Sequence, residues 1–580
     1  MDKRIVDLKS YVPDFLKRLN EYNAILDAEQ PEFEELVDDT SDMLDDCFMS
    51  TAKEEGLIKY EAIMGLVPDP GDSVEIRRRK ITAFAMNVAF TLKSLKEKIQ
   101  ILQGGEEVEI TQDESDPLLY HIVLGVAYEK LIDVLNSSIR DMLPANIDFT
   151  LKSKIEEEPD VYGIEVNFQN NTVTRLAQAV NKSGGSDFDD IAPWGGRYRC
   201  NLTDDGVEVA KYGDYAYSET GFLGGIVIKN GITYNTSTPV QVMVKQPKFY
   251  YLVVSLATFE NLSGVGNRTE KIRYYVSPVP KNGFKLHPLF YDENGNELDY
   301  VYLSAYESTY FNKRTGSYEL NNTRIVANSK TDVSNMVLAS IANALPYHSY
   351  YDKTPLFREA AANRGNGWYQ SIAKGRFAST MLFMIEYGSV QAQTAIGAGN
   401  TTANQAYATG ATASLGNASG TALNSDNIQM VSYRGEENLW GNCDTFIDGI
   451  NPVWELSTTG AYVAYACDDF NFQTEEKAAE KTAYPNYTKI KATIQRLSGR
   501  IQTFNYDPDY DWVFIPGVPS VESTVLIDWS RISFSTVNPV DISIGGNYDD
   551  SENGMFTFRT SSLGSNKHST GRLTYIPQNN

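Results

Sequence analysis

The chain changes its folding pattern once, across residues 152–160, and that change restricts it to a composite architecture. Ahead of it, apolar residues recur at helical spacing. Beyond it, Tyr, Gly, Asn and Thr become frequent and helical periodicity disappears. The segment Lys152–Asp160 is charged, contains Pro159 and reads as a linker. At 580 residues the chain is too long for one core, and usual domain sizes predict three to four units.

Residues 1–155 predict helices with a little sheet. Phe15, Leu19, Tyr22 and Leu26 form one apolar face. Pro31 predicts a break and a first-turn proline, with Phe33, Leu36, Thr40, Leu44 and Cys47 on a second helix. After the Val67–Ser73 breaker, a third helix turns Ile81, Phe84 and Val88 inward. Thr91 is placed to cap a fourth, which carries Leu95 and Ile99. Strands are expected near 107–110 and 120–126, then a helix with Leu131, Leu135, Ile139 and Leu143 ended by Pro144, and a closing strand at 147–151.

Beyond the linker, 225–229, 240–245 and 249–256 alternate or are β-branched and aromatic, which predicts strands. Residues 161–285 are therefore expected as a β-rich domain. From about 286 the pattern is mixed, with helices expected near 357–364 and 378–393. Residues 394–423 are rich in Gly, Ala, Thr, Ser and Asn and predict a long loop.

Charge narrows the function classes. The net charge is −25, and residues 1–160 hold 35 acidic against 18 basic side chains. Such a chain repels phosphate backbones, so nucleic-acid binding is not expected. No stretch approaches a membrane span, and the start has no apolar leader segment, so membrane insertion and a signal peptide are not expected. Cys47, Cys200, Cys443 and Cys467 are scattered, which predicts reduced thiols rather than a disulfide framework or a metal site.

Catalytic patterns are missing. None of the four histidines, 121, 287, 348 and 568, sits in a metal or nucleophile motif. Acidic clusters at Asp187 with Asp189-Asp190, at Asp204-Asp205 and at Asp549-Asp550 suit turns, solvated surface or calcium ligands better than a glycosidase pair. No cofactor and no enzyme activity are expected. Tyr, Asn and Ser in Gly-rich loops suit a recognition surface instead.

Two stretches carry family resemblances. Gly65–Ile81, with Pro68-Asp69, Asp72-Ser73 and Arg77-Arg78-Arg79, resembles a run in the YmfQ-type, tail protein I-like proteins of Mu-like phages. Met142-Leu143-Pro144-Ala145-Asn146-Ile147 resembles that family's closing motif, with Asn146 where histidine is usual. The resemblance covers about residues 1–155. It implies a baseplate wedge component of a contractile tail, packed against a J-like baseplate protein.

The second resemblance is to phage tail-fibre adhesins. It rests on Ile385-Glu386-Tyr387-Gly388, on Tyr433-Arg434-Gly435-Glu436-Glu437-Asn438-Leu439-Trp440-Gly441-Asn442, and on Gly545-Gly546, Gly554-Met555-Phe556 and Gly571-Arg572. Stretches at Pro193-Trp194, Arg199–Leu202 and Gln246–Tyr251 are similar too. These motifs imply a C-type-lectin-like fold, in the branch shared with formylglycine-generating enzymes and phage tropism determinants. The cysteines of the enzymatic branch and calcium-site triplets are absent.

By charge and chemistry these motif residues read as scaffold, with Trp440 in the core, Gly441-Asn442 in a positive-φ turn and Arg572 reaching a carboxylate such as Glu437. The resemblance places receptor contact in the late segment between them: Tyr548, Asp549, Ser551 and Asn553, then Ser565, Asn566, Lys567 and His568.

The resulting expectation is an α+β multidomain protein. It comprises a helical α/β baseplate module over 1–155, a β-rich domain over 161–285 and a C-type-lectin-like domain over 286–580. The expected place is a virion tail baseplate, assembled in the host cytoplasm in several copies that give weak sites avidity. The expected ligand is a host-surface glycan or protein. Rival expectations are a purely architectural baseplate or decoration protein, a component of a phage-derived bacteriocin or other injection system, and a glycan depolymerase.

Overall fold

A computed structural model describes residues 7–68, 72–85, 91–102, 108–124, 136, 139–140, 143–144, 146–260, 267–321, 333–348, 354–454, 461–472, 486–495, 498–520, 528–532, 540–562 and 568–578. Two compact units divide the chain, residues 1–154 and 155–580. Among the described residues, no helix is long and apolar enough to cross a membrane.

The first unit is helical with a small sheet, as its periodicity predicts. One correction concerns Pro31. A single helix runs Asn20–Asp45 with Pro31 inside it, rather than two helices meeting there. The missing N–H costs one backbone bond, but Glu, Leu and Ala on both sides favour helix. The Gln30 amide also donates across the proline to Glu34 at 2.7 Å. This helix buries none of its residues within the chain: Ile25, Phe33, Leu36, Met43 and Leu44 all stand exposed.

The next helices, Glu54–Met64 and Val74–Ala85, are joined by a buried ion pair. Arg77 donates from Nε and Nη2 to both carboxylate oxygens of Glu61, at 2.8 and 2.7 Å. Ile81 is buried as expected; Val88 lies outside the described residues, as do Leu131, Leu135, Met142, Ala145 and the 69–71 part of the first motif. The expected cap at Thr91 is present and reciprocal: its hydroxyl accepts from Ser94 N, and Ser94 Oγ accepts from Thr91 N. The helix it opens, Leu92–Leu102, buries Leu95 and Ile99 with Ile122, Leu124, Ile139 and Leu143. Glu109–Gln112 pairs antiparallel with Leu119–Leu124, which pairs parallel with Asp148–Ser153.

The second unit is built from sheets around one long helix. Strands Trp368–Gln370, Leu573–Tyr575, Tyr300–Ser304, Gln241–Pro247, Tyr198–Leu202 and Glu208–Lys211 lie side by side in that order. A second sheet holds Tyr250–Glu260, Asn267–Ser277, Tyr162–Asn167 and Thr172–Ala177, with Lys285–Leu286 at its edge. A third carries Asp444–Phe446, Val540–Ile544, Phe558–Ser562 and Ser569–Thr570.

Residues 161–285 and 286–580, expected as two domains, share this unit's first sheet. Val244 pairs with Leu303, and Leu303 with Thr574. They share its core as well, which runs from Tyr162 to Ile576. β-Strand composition marks a strand but not its partner, so that merger has no local signal.

The central helix spans Ala373–Tyr387, shifted from the expected 378–393. Gly388 stops it, with φ 59° and its N–H returned to the Met384 carbonyl. The helix is buried on nearly every face, Phe377, Met381, Phe383 and Ile385 included. Trp194 donates its indole N–H to the Leu382 carbonyl at 2.9 Å. The expected 394–423 loop is largely irregular but tightly anchored, with Asn400, Thr409 and Thr412 buried.

Candidate functional site

The motif residues knit the sheets around the central helix. Glu386, the helix's last buried residue, meets Arg434 through Nε at 3.0 Å and Nη2 at 2.6 Å. Arg434 also donates to the Gly185 carbonyl at 2.7 Å and pairs with Asp189. Burial raises the Glu386 pKa against the opposing pull of Arg434.

Around this pair, Arg434, Gly435, Asn438, Gly441 and Asn442 all have positive φ, so the stretch is a chain of tight turns. Its turn peptides are held from the side. Buried Glu307 accepts from Asn442 Nδ2 at 2.6 Å, Cys443 N at 2.8 Å and Asn438 Nδ2 at 3.1 Å. Buried Arg199 donates to the Gly435 carbonyl at 2.8 Å. Trp440 is fully buried, as expected.

Arg572 departs from its expected role. It donates to the main-chain carbonyls of Glu437 and Asn438, not to the Glu437 carboxylate. That carboxylate is taken by the 394–423 loop: Gly410 N and Thr412 N donate to it at 2.7 Å each, and Thr412 Oγ1 at 2.6 Å. A backbone donor close by satisfies a buried carboxylate without a second buried charge, which sequence alone does not reveal.

The late segment is braced by the same lattice. Asn547 donates to Asp444 at 2.8 Å and Asn553 donates to the Asn547 carbonyl at 2.8 Å. The Gln393 amide donates to the Ser551 carbonyl at 2.9 Å and to that of Asn553. Of the expected contact residues, Asp549 and Ser551 are exposed. Asn553 is fully buried and Tyr548 nearly so, because both side chains serve the loop's own packing. Tyr548 packs edge-on against His568 at 4.8 Å, and His568 Nε2 lies 3.2 Å from Asp549. Ser565, Asn566 and Lys567 lie outside the described residues.

A cavity of about 590 Å³ escaped sequence reasoning. Its walls come from 288–295, 467–470 and 509–512, with Lys374 from the central helix. The only signal was a recurrence of Asp beside aromatics in three distant segments, which meets no motif.

Two buried carboxyls give the unit a pH response. Burial pushes Asp528 and Glu307 each up to about 7, from ordinary values of 3.8 and 4.5. The folded state therefore keeps protons that the unfolded chain has released. Their stabilisation is complete below about pH 4 and is lost as pH rises through about 7. Asp528→Asn is expected to raise the thermal midpoint at pH 8 and leave it unchanged at pH 4. Equal shifts at both pH values in scanning calorimetry would reject this assignment.

Comparison with known proteins bears on the N-terminal part. Residues 6–185 match the family model described as Bacteriophage Mu-like, Gp48. The chain is also 27% identical over 154 residues to the phage-like element PBSX protein XkdU of Bacillus subtilis (strain 168), covering 26% of this chain and 78% of that protein. These matches support a phage tail or baseplate-type protein. The family match spans the helical unit and continues through strands Tyr162–Asn167 and Thr172–Ala177 of the second unit. The motif lattice from Arg199 to Arg572 lies beyond it.

Proposed function

We propose that the chain is a structural component of a contractile phage tail baseplate that also carries a receptor-binding, C-type-lectin-like unit. The supporting observation is the join, in one chain, of a unit similar to Mu-like Gp48 with a larger unit whose hydrogen-bond lattice braces an exposed Asp549–Ser551 tip. A braced loop loses little entropy on binding. The uncovered apolar stripe of Asn20–Asp45 suits packing against another virion protein, for which a J-like baseplate protein is the proposed partner. Several copies in a virion baseplate would turn weak single sites into firm attachment. No catalytic step is part of the proposal.

Particles bearing the double change Asp549→Lys and Ser551→Arg are expected to assemble at normal yield and to adsorb at least about tenfold more slowly, the size of one lost hot-spot contact. Normal adsorption would reject the receptor role. The burial of Tyr548 and Asn553 favours a second reading, in which the unit braces the baseplate or an injection system without meeting a receptor. Under that reading the double change leaves adsorption intact. Release of reducing sugar from host envelope by the purified chain would instead point to a depolymerase.

A further inference from the structure

The 590 Å³ cavity lies within the size range of ligand pockets, roughly 300–1,000 Å³. Its chemistry is lopsided: among the described lining residues, aromatic rings from Tyr291, Phe470, Tyr510 and Trp512 stand beside five carboxylates and one ammonium.

Most of those carboxylates are held in place by donors behind them. Asp468 accepts from the Tyr510 hydroxyl at 2.6 Å and from Thr488 Oγ1 at 2.5 Å. Asp469 accepts from Asn471 N at 2.9 Å and Asn486 Nδ2 at 3.0 Å. Asp292 accepts from the backbone of Asn294 and Asn296 at 2.9 and 2.8 Å. Asp509 is different: it is exposed, and its carboxylate accepts no hydrogen bond among the described residues.

The one ammonium among the described lining residues is already engaged. Lys374 Nζ sits 5.0 Å over the Phe470 ring and 3.4 Å from the Asp468 carbonyl. Trp512 is only 4% exposed, and its indole N–H finds no acceptor among the described residues.

We propose that this cavity binds an amine-bearing sugar of the free hexosamine class. Aromatic faces stack on the C–H face of a pyranose and attract a cation. Fixed carboxylates accept O–H and N–H donors, and Asp509 provides an unengaged charge for the ammonium. Trp512 carries an indole N–H that can donate to a sugar oxygen. Acidic sugars meet five carboxylates and are excluded by charge. The cavity shares no residue with the Asp549–Asn553 loop, so this site goes beyond the attachment reading and stands or falls separately from it.

The test uses the full chain in saturation-transfer NMR and titration calorimetry with D-glucosamine, N-acetyl-D-glucosamine and D-glucuronate. Glucosamine is expected to bind with a Kd on the order of 1 mM, about tenfold tighter than the acetylated sugar, with no transfer to glucuronate. Asp509→Asn, a surface change, is expected to weaken glucosamine about tenfold at an unchanged thermal midpoint. Trp512→Phe keeps an aromatic ring and removes the indole N–H, and is expected to weaken all sugar binding. A chitosan trisaccharide that binds tighter than the monosaccharide assigns a polysaccharide source, and equal binding assigns a free sugar. Equal affinity for all three monosaccharides, no binding of any, or unimpaired glucosamine binding by both variants would overturn the proposal.

Discussion

Arg434→Ala is expected to cost the second unit about 3–5 kcal/mol, the range for removing one partner of a buried ion pair. The change leaves the Glu386 carboxylate at 0% exposure without its guanidinium, although Gly185 N still donates to it at 3.1 Å. It also strips donors from the Gly185 carbonyl and Asp189. Urea unfolding followed by tryptophan fluorescence reads this cleanly, because all six tryptophans lie beyond residue 160. The double variant Arg434→Met with Glu386→Leu is expected to recover much of the loss, since it removes the stranded charge. A single variant within about 1 kcal/mol of the native chain would show that the pair is not a net support.

Gly545→Ala is the second large effect. Gly545 has φ 97°, and a Cβ there would stand 2.3 Å from the Leu439 carbonyl oxygen. Backbone on both sides holds the residue in place: its N–H donates to the Thr557 carbonyl at 3.0 Å, and its carbonyl accepts from Gly441 N at 3.1 Å. Left-handed strain of about 1–2 kcal/mol therefore adds to an overlap that only backbone movement can relieve. The total is expected near 3 kcal/mol by the same reckoning. Gly213 separates the two terms, having φ 95° with open space where its Cβ would lie. Gly213→Ala is expected to cost only the strain, about 1 kcal/mol. Equal losses at the two sites in denaturant unfolding would remove the close approach as the cause.

Much of the first unit was legible in the chain. The Thr91 cap, the inward Leu95 and Ile99, and the strands at 109–112 and 119–124 follow from local chemistry and periodicity. Pro31 was misread because a proline's local penalty is smaller than the combined propensity of the long helix around it. In the second unit the turn at Gly441-Asn442 and the burial of Trp440 were readable, since positive φ and large apolar surface each have a residue signature. The partner of Arg572 was not, because carbonyl acceptors occur at every residue and leave no mark in composition.

Sequence alone determined the division of the chain near residue 155, the helical and β-rich character of its two parts, and which residues build turns, caps and core. These depend on interactions within a few residues or on side-chain type, so they survive in one dimension. Tertiary structure decided that 161–285 and 286–580 share one sheet and one core. It buried Tyr548 and Asn553 while leaving Asp549 and Ser551 outside, and it brought three distant Asp-bearing segments around one cavity. Strand partnership, exposure and cavity walls are set by contacts between residues hundreds of positions apart, and no local pattern encodes them.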